Sequence, residues 1–498
     1  MLKKLKKIHV ILLIVMILLT TVSCAAAQTD ELQTEEMQTM NSSDAFLTEL
    51  SEKTGSIEQY TDYKTDDYQS ISLEGSSISV SGIGATVAGD TITITKAGTY
   101  VISGTLKEGQ IIVNSDEDEN VRLVLNNAEI TSSDGSAVLV KSAKNTIISL
   151  PAGTKSVLTD GSMSTDEEAT GALFSADDLW INGSGTLTIN ANYKDGISGN
   201  DDIEITQAKI IINAMDDGIT ANDSVSVSAA DITINAAGDG IKSTNETEIE
   251  KGYIAIKDGS FSIVAGDDGL HAETLLYIQG GTINIHKSYE GIESEVIVLS
   301  GGTIDLTASD DGINANGDTG MLTISGGHIK VNADGDGIDV NGSAYMTGGN
   351  VLVSGPTNNG NAALDYDKVF EVSGGTLLVA GSSGMAQAPS SGSTQYTIAN
   401  TVGTQTEGTI VKLVDSSGKT IAAFTPAKDC QHVVISSPDI KKGSTYALYS
   451  GSTEIETFTI SEAVSGDTAS GGGKHGGPGG GGTPQGGGGT PPERDDQQ

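Results

Sequence analysis

The sequence predicts an all-β protein: a right-handed, single-stranded parallel β-helix with three short strands per coil and a small C-terminal β module. Three observations support this fold class. One short phrase recurs about every 22 residues, apolar and polar residues alternate at period two, and no helical pattern separates the apolar segments. A fixed repeat of this size is typical of a solenoid, in which each coil packs only on its neighbours.

The repeated phrase ends in Asp-Gly-Ile or a close relative of it. Successive copies lie 22, 22, 29, 22, 21 and 25 residues apart. The copies begin at Asp195, Asp217, Asp239, Asp268, Glu290, Asp311 and Asp336. Because equivalent positions of stacked coils lie about 4.8 Å apart, each position becomes a column. The residue after each glycine, from Ile197 to Ile338, therefore predicts an aliphatic stack inside the coil.

The coil containing Ser224 shows how each repeat is built. Val225, Val227, Ile232 and Ile234 alternate with polar residues, which indicates strands that have one buried face. In later coils the pairs Gly280-Gly281 and Gly301-Gly302 separate such strands. Glycine tolerates positive φ, so these pairs predict the corners between strands.

The acidic residues of the repeat predict a metal site. Two unit charges about 4.8 Å apart repel by roughly 1 kcal/mol in water and by about 3.5 kcal/mol at an effective dielectric constant near 20. A column of them needs either protons at raised pKa or bound cations, and ligands that are all oxygen favour calcium. The candidate ligands are Asp216, Asp217, Asp239, Asp267, Asp268, Asp310, Asp311 and Asp336.

A simpler interpretation exists for any single aspartate of the column. Asp-Gly is a common turn dipeptide, because Asp bonds its own backbone and Gly accepts a tight conformation. Turn chemistry accounts for one acid per coil. It does not account for the second acid of pairs such as Asp216-Asp217, since Asn serves a turn without added charge. The column as a whole therefore favours a cation.

The first 70 residues predict export and surface display. Lys3 to Lys7 precede an apolar run from Val10 to Leu19, as in a signal peptide spanning 1–24. Cys24 occupies the place of a lipoprotein cysteine, and cleavage near Ala25 is the alternative. Residues 25–70 are acidic and polar, as in a flexible spacer. We expect an exported cell-envelope lipoprotein or extracellular protein, which touches the membrane only through a lipid anchor.

The remaining boundaries follow from changes in pattern. Residues 71–380 are predicted to form the β-helix, and residues 381–465 a β module that caps it. Residues 466–498 are rich in Gly and Pro, which predicts disorder. We expect a monomer. The formal net charge of −39 excludes nucleic acid as a partner.

An ordered set of motifs resembles one known family. The motifs are Gly98 to Gly104, Val121 to Asn127, Leu179 to Leu187, and the Asp-Gly-Ile coils with Tyr289 to Glu293. They are similar to the bacterial cell-surface carbohydrate-binding β-helix proteins, a pectate-lyase-like family typified by a clostridial cellulose- and polygalacturonate-binding member. The resemblance implies non-catalytic, calcium-dependent binding of acidic pectin-like glycans or cellulose. The candidate carbohydrate-binding residues are Tyr193, Tyr289, Glu290 and Glu293.

Two other functions remain open at the level of sequence. A calcium-dependent polysaccharide lyase on this scaffold needs a base beside the acids. Neither arginine of the chain, Arg122 or Arg494, lies in the repeats, which leaves Lys242 or Lys287 as the candidate. The third possibility is a structural adhesin of the cell envelope, in which the acids only maintain solubility.

Overall fold

The computed structural model describes residues 60–65, 67–248, 250–317 and 320–467. Cys24, the signal segment, most of the predicted spacer and most of the predicted tail lie outside these residues. Within them the chain forms about twelve coils of stacked parallel strands and a separate antiparallel sheet near the C-terminus. The 3-10 turn Tyr63–Thr65 is the only described helical element. None of the described helical structure has the length and apolar character needed to span a membrane.

Each coil contributes one strand to each of three parallel faces, which we call sheets 1, 2 and 3. The long strands Leu270–Ile278 and Ile292–Leu299 run from sheet 1 into sheet 2. Sheet 1 also contains Thr91–Ile94, Gln110–Asn114, Val138–Ser142, Gly171–Ser175, Asp195–Gly199, Ile219–Ala221, Ile241–Ser243, Ile313–Ala315, Ile338–Val340 and Asp365–Tyr366. This is the face that carries the Asp-Gly-Ile repeats.

Sheets 2 and 3 complete the coils. Tyr68–Gly75, Gly98–Leu106 and Val121–Thr131 run through both sheets. Sheet 2 continues with Thr146–Ser149, Leu179–Asn182, Asp202–Thr206, Ser224–Ser228, Tyr253–Ile256, Met321–Ile324, Ser343–Met346 and Val369–Val372. Sheet 3 continues with Lys155–Thr159, Thr186–Ala191, Lys209–Ala214, Ala230–Ala236, Gly259–Val264, Thr282–Ser288, Thr303–Ala308, His328–Ala333, Asn350–Ser354 and Thr376–Gly381. The predicted parallel β-helix is confirmed.

The repeat produces the predicted interior stack. Ile197 pairs with Ile219, and Ile219 pairs with Ile241, in register along sheet 1. These side chains are 0% exposed and belong to one continuous core. Gly281 and Gly302 have φ of 88° and 83°, as the corner prediction requires.

The N-terminal end of the solenoid begins earlier than residue 71. The strand Tyr68–Gly75 folds back on Ser77–Val80 and pairs in parallel with Gly98–Leu106. A second hairpin joins Ala85–Ala88 to Thr91–Ile94. Arg122 donates from Nη1 to the hydroxyl of Thr61, at 3.0 Å, so residues predicted as spacer pack on the first coils.

The C-terminal part is divided between two sheets. Cys430–Ser436 pairs antiparallel with Thr376–Gly381, and Thr397–Gln405 and Val464–Gly466 extend that sheet. The separate sheet contains Val411–Asp415, Thr420–Phe424, Thr445–Ser450 and Thr453–Thr459. The module therefore continues sheet 3 beyond the last coil, so the edge of that sheet is paired.

Candidate functional site

The acids of the repeat form a column where sheet 3 passes into sheet 1. We call this column, with the residue before each acid, the acidic corner. One carboxylate oxygen usually accepts a hydrogen bond from the backbone N–H of the equivalent residue in the next coil. The bonds join Asp195 to Asp217 at 3.2 Å, Asp217 to Asp239 at 2.8 Å, Asp239 to Asp268 at 2.8 Å, Asp268 to Glu290 at 3.2 Å and Asp311 to Asp336 at 2.6 Å. Each of these aspartates thus ties two coils together.

The glycine of Asp-Gly-Ile does not form the turn that the dipeptide suggests. The glycines of the column have no positive φ, and they lie where each strand of sheet 1 starts. A Cβ at Gly218 would lie 2.5 Å from the carbonyl oxygen of Gly240 and 2.6 Å from a methyl group of Ile234. Close packing between coils therefore explains this glycine. The tight positive-φ conformation that Asp-Gly turns favour is therefore absent from these glycines.

Protein cations neutralise the middle of the acidic corner. Lys242 forms an ion pair with the buried Asp239. In the next coil His271 Nδ1 lies 2.8 Å from Asp268 Oδ2 and 3.1 Å from Glu293 Oε2. Lys242 pairs with His271, and His271 with Glu293, in register along sheet 1, so the cations occupy a second column beside the acids.

The pKa values in this part of the corner follow from that pairing. Burial favours the neutral imidazole, but hydrogen bonds with Asp268, Glu273 and Glu293 together raise the pKa of His271 to about 12. Burial raises the pKa of Glu293, yet hydrogen bonds with His271, Asp268 and Asn316 together outweigh burial and lower that pKa to about 2. His271 is therefore an internal cation at neutral pH.

At the downstream end of the corner, Lys428 Nζ lies 2.9 Å from Asp334 Oδ1, but no described cation forms an ion pair with Asp311, Asp336 or Asp339. Asp311, Asp336 and Asp339 each place a carboxylate oxygen within 4.8 Å of the others. We call these three residues the Asp311 cluster. Burial, followed by the charges of neighbouring carboxylates, raises the pKa of Asp339 to about 7. The pKa of Asp336 is raised to about 6, mainly by burial, with Asp311 and Asp365 adding to the effect.

The residues of the Asp311 cluster fit a calcium ion by their chemistry. All three supply oxygen, and calcium takes 6–8 oxygen ligands in a flexible arrangement. Asn314, which pairs with Asp339 in register, has a buried Oδ1 that lacks a hydrogen-bond partner. An amide oxygen of this kind is a common calcium ligand, and desolvation without a partner is costly.

The structure brings only some of the sequence-predicted metal ligands together. Asp239 and Asp268 lie together around His271, and Asp311 and Asp336 lie together with Asp339. Asp267 is exposed. In two places both acids of an Asp-Asp pair approach a glycine of the next coil. A Cβ at Gly238 would lie within 2.8 Å of the Oδ1 atoms of Asp216 and Asp217. A Cβ at Gly335 would lie within 2.4 Å of the Oδ1 atoms of Asp310 and Asp311.

The predicted carbohydrate-binding residues lie in two different coils along the acidic corner. The ring of Tyr289 is 48% exposed and stands in the column between Asp267 and Asp310. A hydrogen bond to Asp310 raises the pKa of its hydroxyl to about 12. Glu290 and Glu293 approach Asp268. Tyr193 lies four coils upstream, about 19 Å away at strand spacing, with Lys194 5.4 Å from its ring centre.

The two candidate bases differ in surroundings. Burial lowers the pKa of Lys242, but the bond to Asp239 and the charges of Asp239, Asp217 and Asp267 together outweigh burial and raise that pKa well above its usual value. A lysine held in its charged form is a poor general base. Lys287 is exposed and makes no ion pair with any described residue. The site therefore disfavours Lys242 as a catalytic base.

Sequence reasoning missed the column that lies three residues after each acid. It includes Lys242, His271, Glu293, Asn314 and Asp339. A signal was present, because aligning the repeats places these residues at one position. The sequence predicts a role for Lys242 and Glu293 among these residues, but it does not place them in a shared column.

The fold places this chain in the class of parallel β-helix proteins, and the acids of its repeat line one corner of the helix. The model of the family described as carbohydrate-binding domain-containing protein matches residues 88–321 and 287–463. The chain belongs to this family, which confirms the predicted resemblance.

Two relatives are similar over part of the chain. A protein of Acetivibrio thermocellus, described as a carbohydrate-binding domain-containing protein, is 35% identical over 136 residues, which cover 26% of this chain and 48% of the relative. The chain thus spans about half the length of the curated relative it matches. A solved structure is described as the polysaccharide lyase-like protein from C. thermocellum, gadolinium derivative. It has a TM-score of 0.43 and 32% identity, covering 44% of this chain and 91% of that one.

Proposed function

We propose that this protein binds polysaccharide at the bacterial cell surface without cleaving it, and that calcium held at the acidic corner mediates the contact with acidic glycans. The observation that carries the proposal is the Asp311 cluster. Its three carboxylates crowd within 4.8 Å, and no described cation neutralises them. The equivalent acids upstream have Lys242 and His271 as partners.

Calcium would be held by Asp311, Asp336 and Asp339, with the Oδ1 of Asn314 as a further ligand. Asp311 and Asp336 each use one oxygen to bind a backbone N–H of the next coil, which fixes their orientation. Three aspartates do not complete the coordination of calcium. The remaining positions suit water or the carboxylate of a uronic acid residue in the glycan.

The charge of the chain explains why a cation is needed for an acidic glycan. A protein of net charge −39 repels a polyanion unless an ion bridges the two. The exposed ring of Tyr289, beside Asp310, offers a face on which a sugar ring stacks. The contact would thus combine ion bridging with stacking.

Binding without cleavage is consistent with the state of the lysines. Lys242 remains charged in its ion pair with Asp239, so it does not accept a proton from a substrate carbon. The chain has no arginine in the repeats to replace it. We propose that the acidic corner positions a glycan and does not react with it.

Surface display is a separate part of the proposal, supported by the sequence of residues 1–24 and by Cys24. Full-length protein is expected in the membrane fraction, and Cys24→Ala is expected to move it to the medium. Equal release of both forms would contradict the lipid anchor.

Retention on polygalacturonate tests the main proposal. Wild-type protein is expected to bind in calcium and to elute in EGTA, while metal analysis shows bound calcium. Asp339→Asn is the informative variant, because no backbone N–H of a described residue donates a hydrogen bond to the Asp339 carboxylate, unlike those of Asp311 and Asp336. It is expected to weaken calcium binding by about tenfold or more, since a charged carboxylate ligand is replaced by a neutral amide.

Asp231→Asn is the matched charge control. Asp231 is exposed on sheet 3 and pairs only with Lys209 among the described residues. This variant removes one negative charge without touching the cluster, so it is expected to behave as wild type. Retention that persists in EGTA would overturn the calcium part. If no polysaccharide is retained at all, the structural adhesin is the better description.

A further inference from the structure

A second groove lies on the outer face of sheet 3, away from the acidic corner. It has a volume of about 310 Å³ and crosses four coils, from the strand Thr303–Ala308 to the strand Thr376–Gly381. We call it the sheet 3 trough. Its size lies at the lower end of the range for small-ligand pockets.

One side of the trough is a column formed by Asp305, Lys330, Leu352 and Leu378, and its downstream half is aliphatic. Leu352 and Leu378 occupy adjacent coils, pair in register, and are half-buried. Both also contact the apolar core of the C-terminal module, which holds them in place. Partly exposed aliphatic side chains of this kind suit the C–H face of a sugar ring, because that face has no hydrogen-bonding group to satisfy.

The sides of the trough carry polar groups of both kinds. Lys330 Nζ lies 3.0 Å from Asp305 Oδ2 of the adjacent coil. The Nδ2 of Asn350 lies 3.3 Å from His328 Nδ1, also between adjacent coils. Asp305 accepts hydrogen bonds, Lys330 donates them, and the amide of Asn350 does both. Sugar hydroxyls also donate and accept, so they match such a mixed rim better than an apolar ligand does.

The charges in the trough select among glycans. Asp305 and Lys330 compensate each other, so the trough presents no net positive charge to a uronic acid. The chain as a whole is strongly negative. Unlike the acidic corner, the trough offers no group of acids at which a bridging cation would concentrate, according to the described residues. A neutral glycan is the ligand that this balance fits.

We propose that the sheet 3 trough is a second saccharide subsite, one that takes a neutral hexopyranose chain independently of calcium. The chain lies along the coils, with its ring faces on Leu352 and Leu378 and its hydroxyls on Asp305, Lys330 and Asn350. The trough and the Asp311 cluster share coils and lie on faces that meet at the acidic corner. One protein thereby holds an acidic and a neutral glycan side by side.

Calorimetric titration of the full chain with cellohexaose and mannohexaose in EGTA tests the subsite. We expect at least one of the two hexasaccharides to bind the wild type. The double variant Asp305→Ala, Lys330→Ala is expected to weaken that binding by about tenfold or more, as is Asn350→Ala, because buried hydroxyls lose partners.

The chain supplies a matched control on the same sheet. Lys209 and Asp231 form an equivalent exposed pair between adjacent coils, at 2.6 Å, far upstream of the trough. Lys209→Ala, Asp231→Ala is expected to leave hexasaccharide affinity unchanged. The trough variants are also expected to keep calcium-dependent retention on polygalacturonate, which shows that they fold.

The outcomes separate this subsite from the function proposed above. If both hexasaccharides fail to bind while polygalacturonate is still retained in calcium, the subsite is refuted and the proposed function stands. Equal affinity of the wild type and the trough variants would also refute it. Loss of affinity in the trough variants alone, with retention in calcium intact, supports it.

Discussion

The carboxylate of Asp217 accepts a hydrogen bond of 2.8 Å from the backbone N–H of Asp239, its equivalent in the next coil. The same bond recurs along most of the column. The acids therefore link adjacent coils in addition to forming a charged surface. Since one oxygen of each aspartate is used in this way, the other oxygen is left for a cation. Lys242 and His271 supply that cation in the middle coils, whereas we propose that the Asp311 cluster takes one from solution.

Metal-free protein is expected to lose stability as the pH rises from about 5 to about 8. The pKa values of Asp217 and Asp339 are raised to about 7, and that of Glu290 to about 8. A carboxyl with a raised pKa binds its proton more tightly in the folded chain. Its contribution is therefore full below the unfolded pKa and is lost as the pH rises through the folded one. His432, whose pKa burial lowers to about 4, acts in the opposite direction.

Thermal unfolding in EGTA at several pH values measures this effect. Asp339→Asn is expected to raise the melting temperature of metal-free protein at pH near 8 and to flatten its pH dependence, because one repelled charge is removed. A wild-type melting temperature that rises steadily over the same range would contradict the raised pKa values.

Calcium is expected to stabilise the wild type more than the Asp339→Asn variant. A ligand present at 100 times its Kd adds about 2.7 kcal/mol to the free energy of unfolding. Melting temperatures measured with and without calcium give the difference, and Asp231→Asn serves as the control. An equal calcium shift in all three proteins would place the ion elsewhere.

Removal of either internal cation is expected to destabilise the protein whether or not calcium is present. Lys242→Ala leaves Asp239, which is 1% exposed, as a buried charge without its partner. Breaking such a pair costs roughly 3 kcal/mol. Urea denaturation measures the loss, and Lys209→Ala, which breaks an exposed pair, is expected to cost less than about 1 kcal/mol. Similar small costs for both variants would show that the corner does not need Lys242.

Gly218→Ala is expected to destabilise the solenoid by about 1–3 kcal/mol or more, since its methyl group would meet the carbonyl of Gly240. Gly360→Ala is the control, because a Cβ there meets only a side-chain oxygen of Asn358, at 3.3 Å. Urea unfolding compares the two variants. Equal stability would mean that the coils shift apart at little cost.

Tyr289→Ala is expected to weaken retention on polygalacturonate in calcium while the melting temperature stays close to that of the wild type. The ring is 48% exposed, so its removal leaves little cavity. Tyr289→Phe is expected to retain binding if the ring face makes the contact. Equal loss of binding in Tyr289→Phe and Tyr289→Ala would instead assign the contact to the hydroxyl.

The sequence by itself determined the architecture. A repeat of about 22 residues with alternating apolar positions allows few other folds, because each coil must stack its apolar face on the next. It also determined that acids share one column, since a column follows from the period alone. The Gly281 and Gly302 corners were likewise readable, as only glycine adopts positive φ without strain.

Only the tertiary structure decided which acids have partners. Lys242 and His271 lie three residues beyond the acids in sequence, and their neutralising role depends on side chains meeting across coils. The same holds for Asp339, which joins Asp311 from a coil further along the chain. The sequence period sets the spacing between coils. The charge balance in each coil depends on which side chains of adjacent coils come into contact. The acids of the corner therefore look alike in the sequence, but in the structure some have a protein cation as partner and the Asp311 cluster has none among the described residues.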